Sequence, residues 1–275
     1  MAVKNLYSIL YKLIIIVLTM IYAIPLYVVL VNSFKSLNNI IKSPLSLPYP
    51  AIFENFVEAF ERSDILRLYW NSIVITGFSV LLLVFCSSMI AFVLARRDGK
   101  RSTALYFIIL AGLMIPQQLV LIPEIQVLKQ LGLINTFAGL IFFNVATYIS
   151  IGFFLYVEFF KTLPRSLEES AMIDGAGSFT IFFKIYFPLL KSCTATVVIF
   201  LGMWIWNDFL PPLYILGGDS GLTITTGIYR AIGQYTTEWN IVFASVFFAS
   251  VPIIVLYLFM QKQFTKGMIA GAVKG

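Results

Sequence analysis

The 275-residue sequence contains no histidine and only two cysteines, Cys86 and Cys193. Without histidine, a Ser-His triad, a histidine-ligated metal and an imidazole proton relay are excluded. The two cysteines lie far apart in different apolar segments, which argues against a zinc site or a disulfide framework. No G-x-x-x-x-G-K-[ST] string occurs, so the chain has no P-loop with which to bind ATP itself. We therefore predict no catalytic residue and no metal site.

Charged residues are also scarce. They make up 12% of the chain, against about a quarter in soluble domains. Hydrophobic residues make up 60%, and the mean hydropathy is +0.92. A water-soluble protein of this size would lack the polar cover that its own surface needs. The chain is therefore an integral membrane protein, and a soluble enzyme or nucleic-acid-binding protein is excluded.

Six apolar segments are long enough to cross about 30 Å of hydrocarbon. A helix is expected for each, because only a helix satisfies its own backbone groups in lipid. The first resembles a signal peptide at its basic start, but it is long and no A-x-A site follows, so we expect it to stay uncleaved. The predicted spans are Leu13–Phe34, Asn71–Ala95, Thr103–Pro123, Phe137–Val157, Ile185–Trp206 and Asn240–Met260.

The distribution of lysine and arginine predicts the orientation. If the N-terminus is cytoplasmic, thirteen of the 19 basic residues fall on the inner side, with the densest cluster at Arg96–Arg101. Cytoplasmic loops carry the excess of basic residues in membrane proteins. We therefore expect an all-α protein with six transmembrane helices and both termini inside.

Ionisable side chains are nearly missing from the predicted spans. Glu158 and Lys191 lie near inner ends, and Asp208 follows the fifth span. Ion-coupled transporters usually place carboxylates or histidine near the midplane. An ion-driven mechanism is therefore disfavoured, and an uncharged solute is favoured.

Neutral polar and aromatic side chains do occur in or beside the spans. Amides bind sugar hydroxyls and aromatic faces stack on sugar rings, although hydrogen bonds between helices, worth about 0.6 kcal/mol each, are the alternative role. A kink at Pro116 would open a polar pocket beside Gln117 and Gln118. The candidate substrate-path residues are Gln117, Gln118, Asn144, Tyr148, Trp204 and Asn207.

The stretch 163–188 carries the most specific signal. Ser166 and Glu169 have the spacing of a capping box, which predicts that a helix begins there. Gly175 and Gly177 are placed to end it, and Ser178 to cap the next helix. The pattern predicts a short cytoplasmic helix, a glycine turn and a second helix leading into the fifth span.

This stretch resembles the EAA loop of binding-protein-dependent ABC importer permeases. Glu169-Ser-Ala171, Gly175, Ile185 and Pro188 reproduce the spacing E-A-A-x3-G-x9-I-x-L-P. Two mild departures are Ser170 for the middle alanine and Phe187 for leucine. The string Ile-Asp-Gly-Ala at 173–176 is typical of the carbohydrate-uptake branch, and residues 266–275 are similar to the tail of the smaller permease subunit of maltose-type transporters.

The resemblance implies a type I importer permease fold working by alternating access in a bacterial plasma membrane. It implies four kinds of partner: a second permease, two copies of a cytoplasmic ATPase, an extracytoplasmic solute-binding protein and the lipid bilayer. ATP and magnesium would be bound by the ATPase, and no cofactor by this chain. The residues implied to couple to the ATPase are Glu169, Ser170, Ala171, Asp174 and Gly175, and those implied to meet the binding protein are Gly217, Gly218 and Gly221.

The expected organisation has three parts. Residues 1–69 would hold the first helix and an outer loop, 70–262 the five-helix core with the coupling loop 161–184, and 263–275 a cytoplasmic tail. The function expected first is the membrane subunit of an ATP-driven sugar importer. A permease of the same fold for another solute, and a channel or membrane scaffold, remain open as alternatives.

Overall fold

The computed structural model is all-helical over the residues it describes, which are 2–217, 221–234 and 238–272. In chain order the α-helices are α1 (Ala2–Asn32), α2 (Leu37–Lys42), α3 (Glu54–Arg62), α4 (Ile65–Arg96), α5 (Lys100–Ala111), α6 (Gln117–Gln130), α7 (Phe137–Phe160), α8 (Ser166–Ile173), α9 (Ser178–Thr180), α10 (Phe187–Leu189), α11 (Lys191–Asn207), α12 (Leu210–Leu216), α13 (Ile224–Gln234) and α14 (Trp239–Ala272).

Four of the six predicted spans are confirmed as continuous helices. Tyr7–Asn32, Ile65–Arg96, Phe137–Phe160 and Trp239–Phe259 are each long and apolar enough to cross a membrane. The last belongs to α14, which continues to Ala272. The predicted tail at 263 therefore begins inside this helix, and its final residues 273–275 lie outside the described residues.

The third and fifth predicted segments are both bent, and of the two bends only the one at Pro116 was expected from the sequence. Lys100–Met114 and Gln117–Gln130 meet at 107°, and Ser178–Leu189 and Lys191–Asn207 meet at 75°. At the first break Pro116 is extended and caps α6, as the expected kink requires. Before the second break a π-helical stretch, Ile181–Tyr186, precedes Pro188. Proline lacks a backbone donor and its ring clashes with the preceding turn, so helices bend beside it.

Contacts divide the chain into two compact units, one formed by Met1–Arg67 and Gly227–Pro252, the other by Leu68–Thr226 and Ile253–Gly275. The three-part division expected from the sequence stays a prediction.

Small residues let α4 and α7 approach closely within the second unit. A Cβ on Gly152 would lie 2.8 Å from the Ser87 hydroxyl oxygen, so only glycine fits there. Nearby, the Asn144 amide donates to the Ser79 hydroxyl at 3.1 Å, and both residues are buried. Close packing of small residues with occasional interhelical hydrogen bonds is how helices associate in membranes.

An aromatic cluster organises the first unit. The Phe56 ring lies 4.7 Å from Phe34, 5.5 Å from Phe247 and 5.8 Å from Phe248 between ring centroids. These contacts pack α3 between the segment after α1 and α14. Ala59, on the same face of α3, is fully buried.

Asn55 supplies the polar link of this unit. Its buried amide nitrogen donates to the carbonyls of Ser33 and Lys35, at 2.9 Å each. Its oxygen accepts from the Asn240 amide at 2.8 Å. One side chain therefore satisfies two backbone carbonyls of the segment that follows α1, and joins them to α14.

Replacing Asn55 by alanine is expected to destabilise the protein by about 3 kcal/mol, because buried carbonyls would lose their donor. The measurement is the midpoint of denaturant unfolding of the purified protein in detergent. Asn38→Ala, an exposed asparagine of α2, is the matched control and should leave the midpoint unchanged. Equal midpoints for the two variants would contradict the assigned role of Asn55.

Candidate functional site

The predicted short helix is α8, but it begins differently from the prediction. Arg165 is its N-cap and already has helical backbone angles, and no side chain caps the helix. The Arg165 carbonyl accepts from the amides of Glu168 and Glu169 at 3.0 and 3.1 Å. The capping box expected from Ser166 and Glu169 is therefore wrong, because the first turn begins one residue earlier than that pattern requires.

Gly175 ends α8 as predicted. Its φ is +81°, and its amide donates to Met172 while the Ala176 amide donates to Ala171. This pair of bonds is the Schellman motif, which places glycine at the left-handed position. Gly177 then caps α9 with extended angles, so the expected cap from Ser178 is wrong.

The coupling residues expected from the sequence take different positions on α8. Ala171 is buried and packs in the core of the second unit. Glu169, Ser170, Asp174 and Gly175 are exposed.

Exposed apolar side chains lie beside them. Ile173 is 86% exposed and Phe179 70%, and Met172 is also exposed. We call Glu169, Met172, Ile173 and Phe179 the α8 surface. Sequence reasoning missed its apolar members, because hydropathy does not show which apolar side chains of a short helix the fold leaves exposed.

Glu168, next to the exposed Glu169, turns inward to a buried arginine. Its Oε2 lies 3.6 Å from Arg96 Nε, and the Arg96 side chain is only 8% exposed. Arg96 Nη2 donates to the Leu163 carbonyl at 3.2 Å, and its guanidinium lies 4.9 Å from the centre of the Tyr186 ring. Tyr186 completes the cluster by donating to Glu168 at 3.5 Å.

Lys161, between α7 and α8, is paired with Glu158 at 2.6 Å. The hydrogen bond that Lys161 donates to the Glu158 carboxylate holds the pKa of Lys161 above its ordinary value. Both side chains are nearly half exposed, so solvent screens the pair and its contribution to stability is small.

A second feature of this unit is an open cavity of about 430 Å³. It lies where the α5–α6 break and the end of α11 face the middle of α7. The residues that line it are Gly112, Leu113, Ile115, Gln117, Thr147, Tyr148, Ile151, Trp204, Asn207 and Asp208.

Four of the six predicted path residues meet in this cavity, namely Gln117, Tyr148, Trp204 and Asn207. Gln118 lines a smaller cavity of about 150 Å³ that shares Gln117 and Asp208 with the first. Asn144 lines neither of the two, because its side chain is held by Ser79 between α4 and α7. Its position corresponds to the helix–helix alternative.

Asp208 is the lining residue that sequence reasoning passed over. Its carboxylate accepts from the Tyr148 hydroxyl at 2.8 Å, and Tyr148 is the twelfth of the 24 residues of α7. The sequence placed this carboxylate beyond the end of a span, whereas the structure places it level with a span's middle. The reason is that α11 ends at Asn207 and α12 begins at Leu210. The Pro211-Pro212 pair was the available signal for this break.

The cavity presents the polar groups and aromatic faces that a hydroxyl-rich ligand needs. Gln117 Nε2 and Thr147 Oγ1 are buried and have no hydrogen-bond partner among the described residues. The rings of Trp204 and Tyr148 lie 6.0 Å apart, and Trp204 is 45% exposed. Sites of this kind combine apolar walls with a few placed polar groups.

A second outer loop follows α12 and carries the predicted loop glycines, and its residues 222–225 are attached to the same unit. The Asn71 amide donates to the Leu222 carbonyl at 2.9 Å, and the Ile224 amide donates to the Ser72 hydroxyl at 2.8 Å. Thr225 Oγ1 donates to the Asp208 carbonyl at 2.7 Å.

Of the three predicted loop glycines, Gly217 ends α12 with φ +65°, Gly221 precedes the attached segment, and Gly218 lies outside the described residues. Within the described ranges no group of three cysteine, aspartate or glutamate side chains is placed to hold a metal.

Comparison with known proteins agrees with this geometry. Residues 84–270 match the family model "Binding-protein-dependent transport system inner membrane component". The chain is 38% identical over 253 residues to the melibiose/raffinose/stachyose import permease protein MelC of Bacillus subtilis, covering 92% of this chain and 91% of MelC. It is 35% identical to AmyC of Thermoanaerobacterium thermosulfurigenes, a probable starch degradation products transport permease, covering 94% of each chain.

Among solved structures, a chain of a bacterial ABC transporter that imports the acidic polysaccharide alginate superposes with a TM-score of 0.82. The match covers 94% of this chain and 97% of the other, at 20% sequence identity. At that identity the likeness shows a shared fold.

Replacing Gly175 by alanine is expected to loosen the end of α8. Nothing lies within 4 Å of the added carbon, so the cost is the left-handed backbone alone, about 1 kcal/mol. Hydrogen exchange at the Ala176 amide should then be roughly fivefold faster. Gly177→Ala, at an extended position with equally open space, should leave exchange unchanged. An unaltered rate in Gly175→Ala would show that the turn does not need a glycine.

Proposed function

The chain belongs to the family of binding-protein-dependent transport system inner membrane components, and we propose that it is one of two permease subunits of an ATP-driven importer of uncharged oligosaccharides. It is a multi-pass membrane component of a bacterial ABC importer and does not itself catalyse a reaction. Family membership sets aside the channel and scaffold alternatives. The observation that carries the coupling part of the proposal is the exposed α8 surface.

The solute class is proposed from the relatives and from the cavity. MelC is named for melibiose, raffinose and stachyose, and AmyC for starch degradation products. The cavity supports the same class, since its amide, hydroxyl and aromatic groups suit sugars. The Asp208 carboxylate adds an acceptor for sugar hydroxyls and disfavours an anionic solute by repulsion. Phosphate is therefore a weaker alternative, and the names of the relatives, rather than the charge of the cavity, disfavour a cationic solute such as a polyamine.

Within the cavity each side chain has a proposed task. The exposed ring of Trp204 stacks on a sugar face beside Tyr148. Gln117 and Thr147 donate hydrogen bonds through the atoms that lack a partner in this structure. Asn207 lines the larger cavity and Gln118 the smaller one, and Asn144 acts from behind by holding α7 against α4.

The α8 surface is proposed to dock on the ATPase. Glu169 presents a charge, while Met172, Ile173 and Phe179 present apolar area that water does not favour. Ser170, Asp174 and Gly175 shape its edge, and Ala171 fixes it to the core. ATP and magnesium are bound by the two ATPase copies. Their closure moves α8, and the permease pair alternates between inward-facing and outward-facing states.

On the outer side, the loop containing Gly217, Gly218 and Gly221 is proposed to meet the solute-binding protein. A solved complex of the alginate transporter contains a periplasmic protein bound to an alginate pentasaccharide, which supports such a partner here. In this proposal 1–69 holds the first helix and an outer loop, 70–262 forms the permease core, and 263–275 is a cytoplasmic tail.

Replacing Trp204 by alanine is expected to raise the half-saturating sugar concentration for ATPase stimulation roughly tenfold, because a stacking contact worth about 1 kcal/mol or more is lost. The measurement uses the reconstituted transporter with sugar-loaded binding protein. Phe142→Ala removes an exposed aromatic ring of α7 that does not line the cavity and should behave as wild type. Equal behaviour of the two variants would remove Trp204 from the substrate path.

Replacing Ile173 by glutamate is expected to weaken ATPase association at least tenfold, since a charge would be buried in an apolar contact. Association is measured by co-purification and by titration of the ATPase subunit against the permease pair in nanodiscs. Thr162→Glu introduces the same charge at an exposed position before α8 and should assemble normally. Undiminished binding by Ile173→Glu would refute docking through this surface.

A further inference from the structure

The two neighbouring glutamates of α8 differ in exposure and in what they face. Glu169 is exposed, whereas Glu168 is 19% exposed at its side chain and faces Arg96. Successive residues on a helix point about 100° apart, so one of the pair is directed outward and the other into the protein. The family spacing marks only the outward one.

Arg96 is held from several directions. Its guanidinium contacts the Glu168 carboxylate, the Leu163 carbonyl and the face of Tyr186. A buried guanidinium depends on such partners, and removing one leaves an uncompensated charge. Glu168 of α8 is therefore paired electrostatically with the last residue of α4, and Arg96 Nε makes no hydrogen bond of its own among the described residues.

The other end of α4 is fixed as well. Asn71 and Ser72 bind the outer segment through Leu222 and Ile224. From Ser72 to Arg96 a continuous helix extends about 36 Å, at about 1.5 Å per residue. Both attachments lie within the second compact unit.

We propose that α4 is the rod that links the ATPase-facing helix α8 to the outer loop, with Arg96 as the positioning residue at its inner end and Ser72 at its outer end. This rests on the proposed function of α8 and of the loop. A displacement of α8 moves Arg96 with it through Glu168 and Tyr186. Because α4 is continuous, that displacement reaches Leu222–Ile224 directly. In the same way, binding of a partner to the loop displaces α4 and, through it, α8.

The test uses the full transporter with its second permease, ATPase and binding protein in nanodiscs. Arg96→Gln is expected to keep ATPase co-purification and basal hydrolysis while stimulation by sugar-loaded binding protein falls at least tenfold. Arg97→Gln makes the same charge change at the adjacent exposed residue and should retain full stimulation. Glu168→Gln should reduce stimulation as much as Arg96→Gln does. The double variant should reduce stimulation no further than either single variant, since all three remove the same interaction.

Two further variants keep the test decisive if Arg96→Gln does not fold. Arg96→Lys preserves the charge but not the planar contacts, and is expected to assemble with reduced stimulation. Ser72→Ala should also reduce stimulation while ATPase association is unchanged. Full stimulation in both variants, Arg96→Lys and Ser72→Ala, would overturn the proposed role of α4 as a rod.

The outcomes separate the two proposals. If the wild-type complex retains no ATPase, the proposed function fails. If it assembles and Arg96→Gln is stimulated as well as Arg97→Gln, the proposed function stands and the role of Arg96 is overturned. If Arg96→Gln loses ATPase association as well as stimulation, the role of Arg96 is also overturned, because Arg96 would then only shape the α8 surface.

Discussion

In an apolar surrounding every backbone donor and acceptor must be satisfied by the protein itself. A helix can therefore be interrupted only where side chains or a polar cavity replace its missing bonds. The break after α11 shows this. Thr225 supplies a hydroxyl to the Asp208 carbonyl, and the Asn207 amide donates back to Met203. The break at Pro116 opens on the same cavity. The two interruptions and the polar cavity are parts of one arrangement.

The same constraint explains why a carboxylate is tolerated beside the middle of α7. Asp208 accepts a hydrogen bond from Tyr148 and borders a cavity rather than packed apolar side chains. Transporters commonly form solute sites at interrupted helices of this kind. Hydropathy counts residues along the chain and so put Asp208 outside a span. The count ended this span one residue before the observed end of α11, but it does not record which level of α7 that end lies beside.

Close approach of helices is the other requirement. The contact of Gly152 with Ser87 and the hydrogen bond of Asn144 to Ser79 hold α7 against α4. Between its two polar attachments α4 is one continuous helix. A continuous helix that is attached at both ends can transmit a displacement, whereas an interrupted helix can line a cavity. The second unit contains both kinds side by side.

The sequence by itself determined the membrane class, the helical fold, the number and rough limits of the apolar segments, and the glycine that ends α8. These follow from hydropathy and from backbone rules that act over a few residues. Tertiary structure alone decided that the fifth segment bends, how sharply the third bends at Pro116, that Asp208 joins Gln117, Tyr148, Trp204 and Asn207, and that Asn144 does not. It also decided that Glu168 faces a buried arginine 72 residues earlier in the chain while Glu169 faces outward. Contacts between residues so distant in sequence depend on how whole helices pack, and no local pattern records that.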